Sequence, residues 1–271
     1  MLIDTHCHLN MMIKKTFDTL IGPAEKNLAN TIIQHAAQAG VTRIINVGTS
    51  VPESLNCVTL ARHYPGIWAA IGLHPTDCTA QWLEDFKEIK ALIKKENKIV
   101  AIGECGIDKY HPGYDINRQK AAFKAQIELA LEHNLALIVH SRNAYDETLY
   151  ALDEFAGQIK RGVMHCFSED QAFADHVIAQ NFLLGIGGPL TYPKNNDLRT
   201  IFTTLPLEKI VLETDAPFLP PQSIRGQQNS PAQIKPIAEF LADLRGDSFA
   251  TIAQKTTQNA IRLFQLPDSS S

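Results

Sequence analysis

The sequence predicts an α/β fold of the (β/α)₈ barrel type, a TIM barrel. Eight short runs rich in apolar and β-branched residues recur at 2–6 (LIDTH), 43–49 (RIINVGT), 68–74 (WAAIGLH), 99–104 (IVAIGE), 136–141 (ALIVHS), 161–166 (RGVMHC), 182–187 (FLLGIG) and 209–215 (KIVLETD). Longer amphipathic stretches separate them. In 117–133, for example, Ala122, Phe123, Ile127, Leu129, Ala130 and Leu131 form a broad apolar face. Runs that are apolar almost throughout, instead of alternating, read as parallel strands covered on both faces. Eight such units in a chain of 271 residues match the size of a closed barrel. A doubly wound open sheet also alternates strand and helix, but no GxGxxG follows the first run. Helical patterns near 231–245 and 248–265 follow the last strand and close the barrel. No internal repeat or interdomain linker is visible, so 1–266 is read as one domain. Pro267-Asp268-Ser269-Ser270-Ser271 is read as a disordered tail.

Composition narrows the function classes. The chain is 45% hydrophobic and 20% charged, with a net charge of −4. That balance excludes a generic polyanion binder, so any contact with nucleic acid must come from metal ions or a few placed cations. Five cysteines without CxxC spacing point to a reducing compartment and no disulfide framework. The amino terminus begins in a strand-like run with no signal-peptide pattern, and no stretch reaches membrane-span length. A cytoplasmic protein, with no membrane contact and no obligate protein partner, is expected; a barrel of this size can stand as a monomer.

The polar residues at the carboxyl ends of the runs carry the functional reading. Run one ends in His6 and His8, run three in His74, run four in Glu104, run five in His140, run six in His165 and run eight in Glu213 and Asp215. In a barrel these ends converge on one mouth, where the active sites of this fold lie. His6 and His8 are two apart and point to one side of a strand, with Cys7 pointing away. By the same alternation His140 shares a face with Ile138, and His165 with Val163. Glu213 and Asp215 share one with Val211, with Glu213 the deeper of the two. Four histidines and two carboxylates exceed one tetrahedral site and suit two adjacent divalent ions, with Glu104 as the bridge. Such a pair activates water and stabilises attacking and leaving oxygens in phosphate-ester hydrolysis. Glu213 is read as a buried hydrogen-bonding group behind the ligands.

The same residues carry a resemblance. Asp4-Thr5-His6-Cys7-His8-Leu9, Gly72-Leu73-His74-Pro75, Gly103-Glu104-Cys105-Gly106-Ile107-Asp108, His140-Ser141-Arg142, His165-Cys166-Phe167-Ser168 and Glu213-Thr214-Asp215-Ala216-Pro217-Phe218-Leu219 resemble the signatures of the TatD family. These are metal-dependent deoxyribonucleases of the amidohydrolase-type TIM-barrel superfamily. The likeness extends to Asn259-Ala260 and Leu263-Phe264 in the final helix. It implies His6, His8, Glu104, His140, His165 and Asp215 as metal ligands, with Mg²⁺, Mn²⁺ or Zn²⁺ as cofactor. It also implies Asp215 as acceptor of the attacking water's proton, beside Glu104 in the catalytic pair, and DNA as substrate. There is one departure. The family often carries a basic stretch resembling R-G-K-R-N-x-P after the last strand, and here it reads Arg225-Gly226-Gln227-Gln228-Asn229-Ser230-Pro231. Two cations give way to neutral amides, which weakens phosphate attraction.

Other roles stay open at this level. His74 either contacts substrate phosphate or caps the turn before Pro75. Arg225 is either a phosphate contact or a solvated loop residue, and Arg142 and Ser168 sit where they can touch substrate. Cys7, Cys105 and Cys166 are expected on the helix-facing side as small buried hydrophobes. Histidines 35, 63, 111, 133 and 176 are expected at the surface. The leading expectation is a deoxyribonuclease that trims single strands. The alternatives are an amide, ester or lactone hydrolase on the same two-metal site, or a metal-binding module without catalysis.

Overall fold

The structure, a computed structural model, describes all residues except 15, 95 and 268–271. Its elements alternate along the chain. They begin β1 (Leu2–Cys7), α1 (Leu9–Met12), α2 (Pro23–Gln38), β2 (Val41–Val47), α3 (Val51–His63), β3 (Ile67–Ile71), α4 (Trp82–Ile93), β4 (Ile99–Asp108) and α5 (Ile116–His133). They continue β5 (Ala136–Arg142), α6 (Tyr145–Asp153), β6 (Gly162–Met164), α7 (Gln171–Ala179), β7 (Phe182–Ile186), α8 (Asn196–Thr204), β8 (Ile210–Leu212), α9 (Ile234–Arg245) and α10 (Phe249–Phe264). Side-chain caps start several helices. Ser50, Asp115, Asp170 and Ser248 each accept a hydrogen bond from the backbone N–H three residues on.

All eight strands are parallel and pair in chain order from β1 to β8, the (β/α)₈ arrangement expected from the sequence. The ring is drawn together between β1 and the segment after β8. There Asp4, wholly buried, accepts hydrogen bonds from the Thr214 N–H (3.0 Å) and hydroxyl (2.6 Å). The Thr5 hydroxyl donates to the Leu212 carbonyl at 3.0 Å, and the Asp215 N–H to the His6 carbonyl at 2.9 Å.

Two apolar layers result. The larger lies between the strands and the helices. The smaller fills the barrel interior with Ile3, Ile45, Val100, Ile138, Val163 and Val211, and Leu263 and Phe264 of α10 pack against it. Ile138, Val163 and Val211 therefore face inward, as does the strand phase they share with His140, His165 and Glu213.

Several expectations are corrected. The run 209–215 is strand only to Leu212, because Thr214 is captured by Asp4 and Asp215 turns to a positive φ of 56°. β6 likewise stops at Met164, whereas β4 runs four residues further than expected, to Asp108. The helix expected from 231 begins as a 3₁₀ turn, Pro231–Gln233, before α9. The expected disordered tail lies outside the described residues except for Pro267, whose carbonyl accepts a hydrogen bond from Arg43 at 2.6 Å. No helix among the described residues is long and apolar enough to cross a membrane.

Candidate metal centre

Two register shifts aim the central side chains inward. Ile3 faces the interior, but Cys7 packs in the outer layer, so β1 changes phase between them, where its pairing with β2 shifts. β4 does the same: Ala101 faces inward and Cys105 outward, with a shift against β5 between Ile102 and Cys105. Irregularities of this kind re-aim side chains beside active sites. They place His6 and Glu104, both buried, at the mouth. Two glycines make the β4 path possible. Gly103 has φ 145°, and a Cβ there would meet Ile138 at 2.7 Å; Gly106 has φ 143°, and a Cβ there would meet the His140 carbonyl oxygen at 2.0 Å. His8 lies one residue past β1 as the N-cap of α1. Its Nε2 nevertheless comes within 3.2 Å of the His6 Nε2.

Glu104 divides the site. Its Oε2 lies 3.3 Å from His6 Nε2 and 3.6 Å from His8 Nε2. Its Oε1 lies 2.8 Å from His140 Nδ1, 3.4 Å from His165 Nε2 and 3.6 Å from His74 Nε2. Asp215 Oδ1 joins the first group, 3.3 Å from His8 Nε2 and 3.7 Å from His6 Nε2. The nitrogens and oxygens of His6, His8 and Glu104 thus lie close enough to share one cation, as do those of Glu104, His140 and His165 and those of His6, His165 and Asp215.

The groups behind these side chains set their tautomers. His8 Nδ1 faces the Val47 carbonyl at 2.8 Å, so a proton sits there and Nε2 is turned toward Glu104 and Asp215. His165 Nδ1 faces Glu213 Oε1 at 3.0 Å, which leaves its Nε2 toward Glu104. Glu213 Oε1 also accepts from the Cys166 N–H at 2.6 Å, so Glu213 stands behind His165. His140 sits between two carboxylates, with Nδ1 on Glu104 and Nε2 3.0 Å from Asp108 Oδ2.

The electrostatics fit a bound cation. Burial works to raise the Glu104 and Asp215 carboxyls, but the surrounding histidines hold both below the usual carboxylate range. Burial likewise works to lower His165, yet the charges of Glu213 and Glu104 hold it up to about 10. In the cation-free centre, protons on histidine balance the buried carboxylates; metal ligation requires bare imidazoles, so a cation held here would replace those protons.

His74 does both things that the sequence left open. Its Nδ1 accepts from the Thr76 N–H at 3.2 Å, capping the turn Pro75–Asp77. Its Nε2 side faces Glu104 in the same cavity. Burial and the charge of His140 lower its pKa to about 3, so it is neutral and carries its proton on Nε2.

The mouth opens into a cavity of about 690 Å³ lined by His8, His74, Glu104, His140, His165 and Asp215 among others. Arg142 is at its edge, exposed, with its guanidinium 3.6 Å from the centre of the Tyr110 ring; Ser168 also lines it. Arg225 does not. It is exposed and stacks 4.2 Å from the centre of the Tyr192 ring, with Gln227 and Gln228 exposed beyond it. Cys7 and Cys105 are buried in the outer layer. Cys166 is a correction: the chain turns there with φ 46°, and the residue lines the cavity, partly exposed. Histidines 35, 63 and 111 are exposed, while 133 and 176 are half-buried. Asp108, at the end of β4 and 3.0 Å from His140, lies beyond the run 99–104. Residues 104, 106 and 108 share one face of a strand, and that spacing was the available signal.

The family model described as TatD related DNase matches residues 3–265. The chain is 36% identical to the metal-dependent hydrolase YabD of Bacillus subtilis, over 98% of this chain and 100% of that one. It is 32% identical to the 3′-5′ ssDNA/RNA exonuclease TatD of Escherichia fergusonii, over 86% of this chain and 91% of that protein. The crystal structure of YjjV, a TatD homologue from Escherichia coli K12, superposes with a TM-score of 0.88 at 32% identity and covers 98% of both chains.

Proposed function

The chain belongs to the TatD-related DNase family and is a metal-dependent hydrolase; from that premise we propose that it hydrolyses phosphodiester bonds of DNA, removing nucleotides from the 3′ end of single strands. One observation carries the reading: the two oxygens of Glu104 are divided between two histidine groups, His6 and His8 on one side and His140 and His165 on the other. Two divalent cations, Mg²⁺, Mn²⁺ or Zn²⁺, would be held there, the first also by Asp215. When bound they supply Lewis acidity toward the phosphate and lower the pKa of the attacking water.

The chain's own groups do the rest. Asp215, kept ionised by His8, His165 and His6, takes the water's proton at Oδ2, because Oδ1 faces the histidines. Glu104 keeps the two halves of the centre in register. His74 donates its Nε2 proton to a non-bridging phosphate oxygen. Arg142, held flat on Tyr110, presents its guanidinium to the next phosphate, and Arg225 meets the strand further out.

The test is a 5′-labelled single-stranded oligonucleotide incubated with Mg²⁺, Mn²⁺ or Zn²⁺. A ladder shortening from the 3′ end, stopped by chelator, is the expected result. Intact oligonucleotide with every metal overturns the reading. A second reading, an amide, ester or lactone hydrolase on the same centre, is favoured by charge. Arg142 is the one Lys or Arg among the described residues lining the cavity, against Asp18, Glu53, Asp77 and Asp108. Turnover of a small ester or lactone with no cleavage of any nucleic acid decides for it.

A further inference from the structure

Two large aromatic side chains stand open to solvent over the centre. Phe17 is 58% exposed and Phe218 45%, and both line the same cavity as Glu104 and Asp215. Neither belongs to a core layer. Single exposed aromatics are ordinary, but these two sit on segments fastened from beneath by buried polar groups.

Phe218 donates its N–H to the Asp215 carbonyl at 2.8 Å, so the ring is tied to a catalytic residue through one turn of backbone. The fully buried Asn229 donates to the Phe218 carbonyl at 2.7 Å and to the Thr214 carbonyl at 2.8 Å. The Phe218 ring meets His8 edge-on, centres 5.9 Å apart. Phe17 is held on the segment between α1 and α2. Buried Glu53 accepts from the Asp18 N–H at 2.7 Å and from Lys14 Nζ at 2.5 Å, and Asn10 donates to its second oxygen at 2.8 Å. Ser50 donates to Asp18 Oδ1 at 2.5 Å. An aromatic ring on a backbone already fixed binds a flat partner with little further loss of freedom.

We propose that Phe17 and Phe218 form a stacking subsite for the base of the terminal nucleotide, whose phosphodiester lies at the Glu104 centre. The inference rests on the nuclease reading above and specifies how its substrate is held. Every nucleobase has a π-face, so stacking gives affinity without sequence preference. It also supplies attraction at a mouth where Arg142 is the one Lys or Arg among the described lining residues. The cavity, about 690 Å³, is in the size range of sites for small ligands.

The experiment compares two single-stranded oligonucleotides, one with an ordinary 3′-terminal nucleotide and one with an abasic 3′ terminus. Each is assayed with wild type, Phe218→Ala, Phe218→Tyr and Phe17→Ala. Wild type is expected to prefer the ordinary terminus by about 10- to 100-fold in kcat/KM, mostly through KM. Phe218→Ala abolishes that preference, the loss falling on the ordinary terminus far more than on the abasic one. Phe218→Tyr keeps it, and Phe17→Ala reduces it. Equal wild-type rates on both substrates, or losses in Phe218→Ala that are the same for both, overturn the subsite and leave the nuclease standing. Cleavage of neither substrate by wild type overturns the nuclease reading, and the subsite with it.

Discussion

At the amino-terminal ends of the strands the barrel interior is filled by Ile3, Ile45, Val100, Ile138, Val163 and Val211, with Leu263 and Phe264 of α10 packed against them. At the carboxyl ends the same interior holds His6, Glu104, His140, His165 and Glu213, and the filling is polar and titratable. The apolar end satisfies itself, because each side chain needs only neighbours of the right volume. The polar end does not: His6 Nδ1 and Glu213 Oε2 are buried with no hydrogen-bond partner, and buried groups of that kind are costly. One set of strands thus builds a half that secures the fold and a half whose charges call for a guest. Conservative changes at the two ends should therefore separate activity from stability.

The largest separation is expected from Asp215→Asn. Loss of the proposed proton acceptor should lower kcat by about 10²–10⁴-fold, while Tm measured without metal should change little. Phe264→Ala at the opposite end should do the reverse. The side chain is 2% exposed in the interior cluster, and its removal costs about 3–5 kcal/mol. That lowers Tm by about 5–15 °C and leaves kcat at low temperature unchanged. Thermal melts and steady-state rates on both variants check the pair; a kcat loss in Phe264→Ala as large as in Asp215→Asn would erase the distinction between the ends.

A smaller effect concerns the boundary. Burial, then the charge of Asp18, raises the Asp77 carboxyl at the cavity wall from 3.8 to about 6. A raised carboxyl stays protonated longer in the folded than in the unfolded chain. Its contribution is therefore full below the unfolded value of 3.8 and is lost as pH rises through about 6. A complete shift of this size corresponds to about 3 kcal/mol, which partial exposure reduces to about 1–2 kcal/mol. Asp77→Asn should accordingly melt higher than wild type above about pH 7 and no higher below about pH 4. A Tm difference independent of pH would show that Asp77 belongs with the neutral wall instead.

The two ends were also unequally legible in the sequence. The apolar runs marked every strand, because a parallel barrel strand is covered on both faces and needs no alternation. His140, His165 and Glu213 could be phased from Ile138, Val163 and Val211, since β5, β6 and β8 keep their register to their ends. β1 and β4 do not, and the inward turn of His6 and Glu104 depends on register shifts that a regular period cannot express. The early end of β8 depends on Asp4, 210 residues away from Thr214. Asp108 went unassigned because the β4 run looked finished at Glu104, and only the Gly106 approach to His140 carries the strand onward. Phe17 and Phe218 were unreadable as a pair, because the polar anchors beneath Phe17 come from α3, 35 and 39 residues along the chain.

The central proposal is that Glu104 would serve two cation positions in one hydrolytic centre. Metal content of the purified protein after titration with Mn²⁺ tests it most directly, in wild type and in Glu104→Gln. The account predicts two ions per chain in wild type and fewer than two in the variant, with nuclease activity lost alongside them. A single ion in wild type, or two retained by Glu104→Gln, would contradict it.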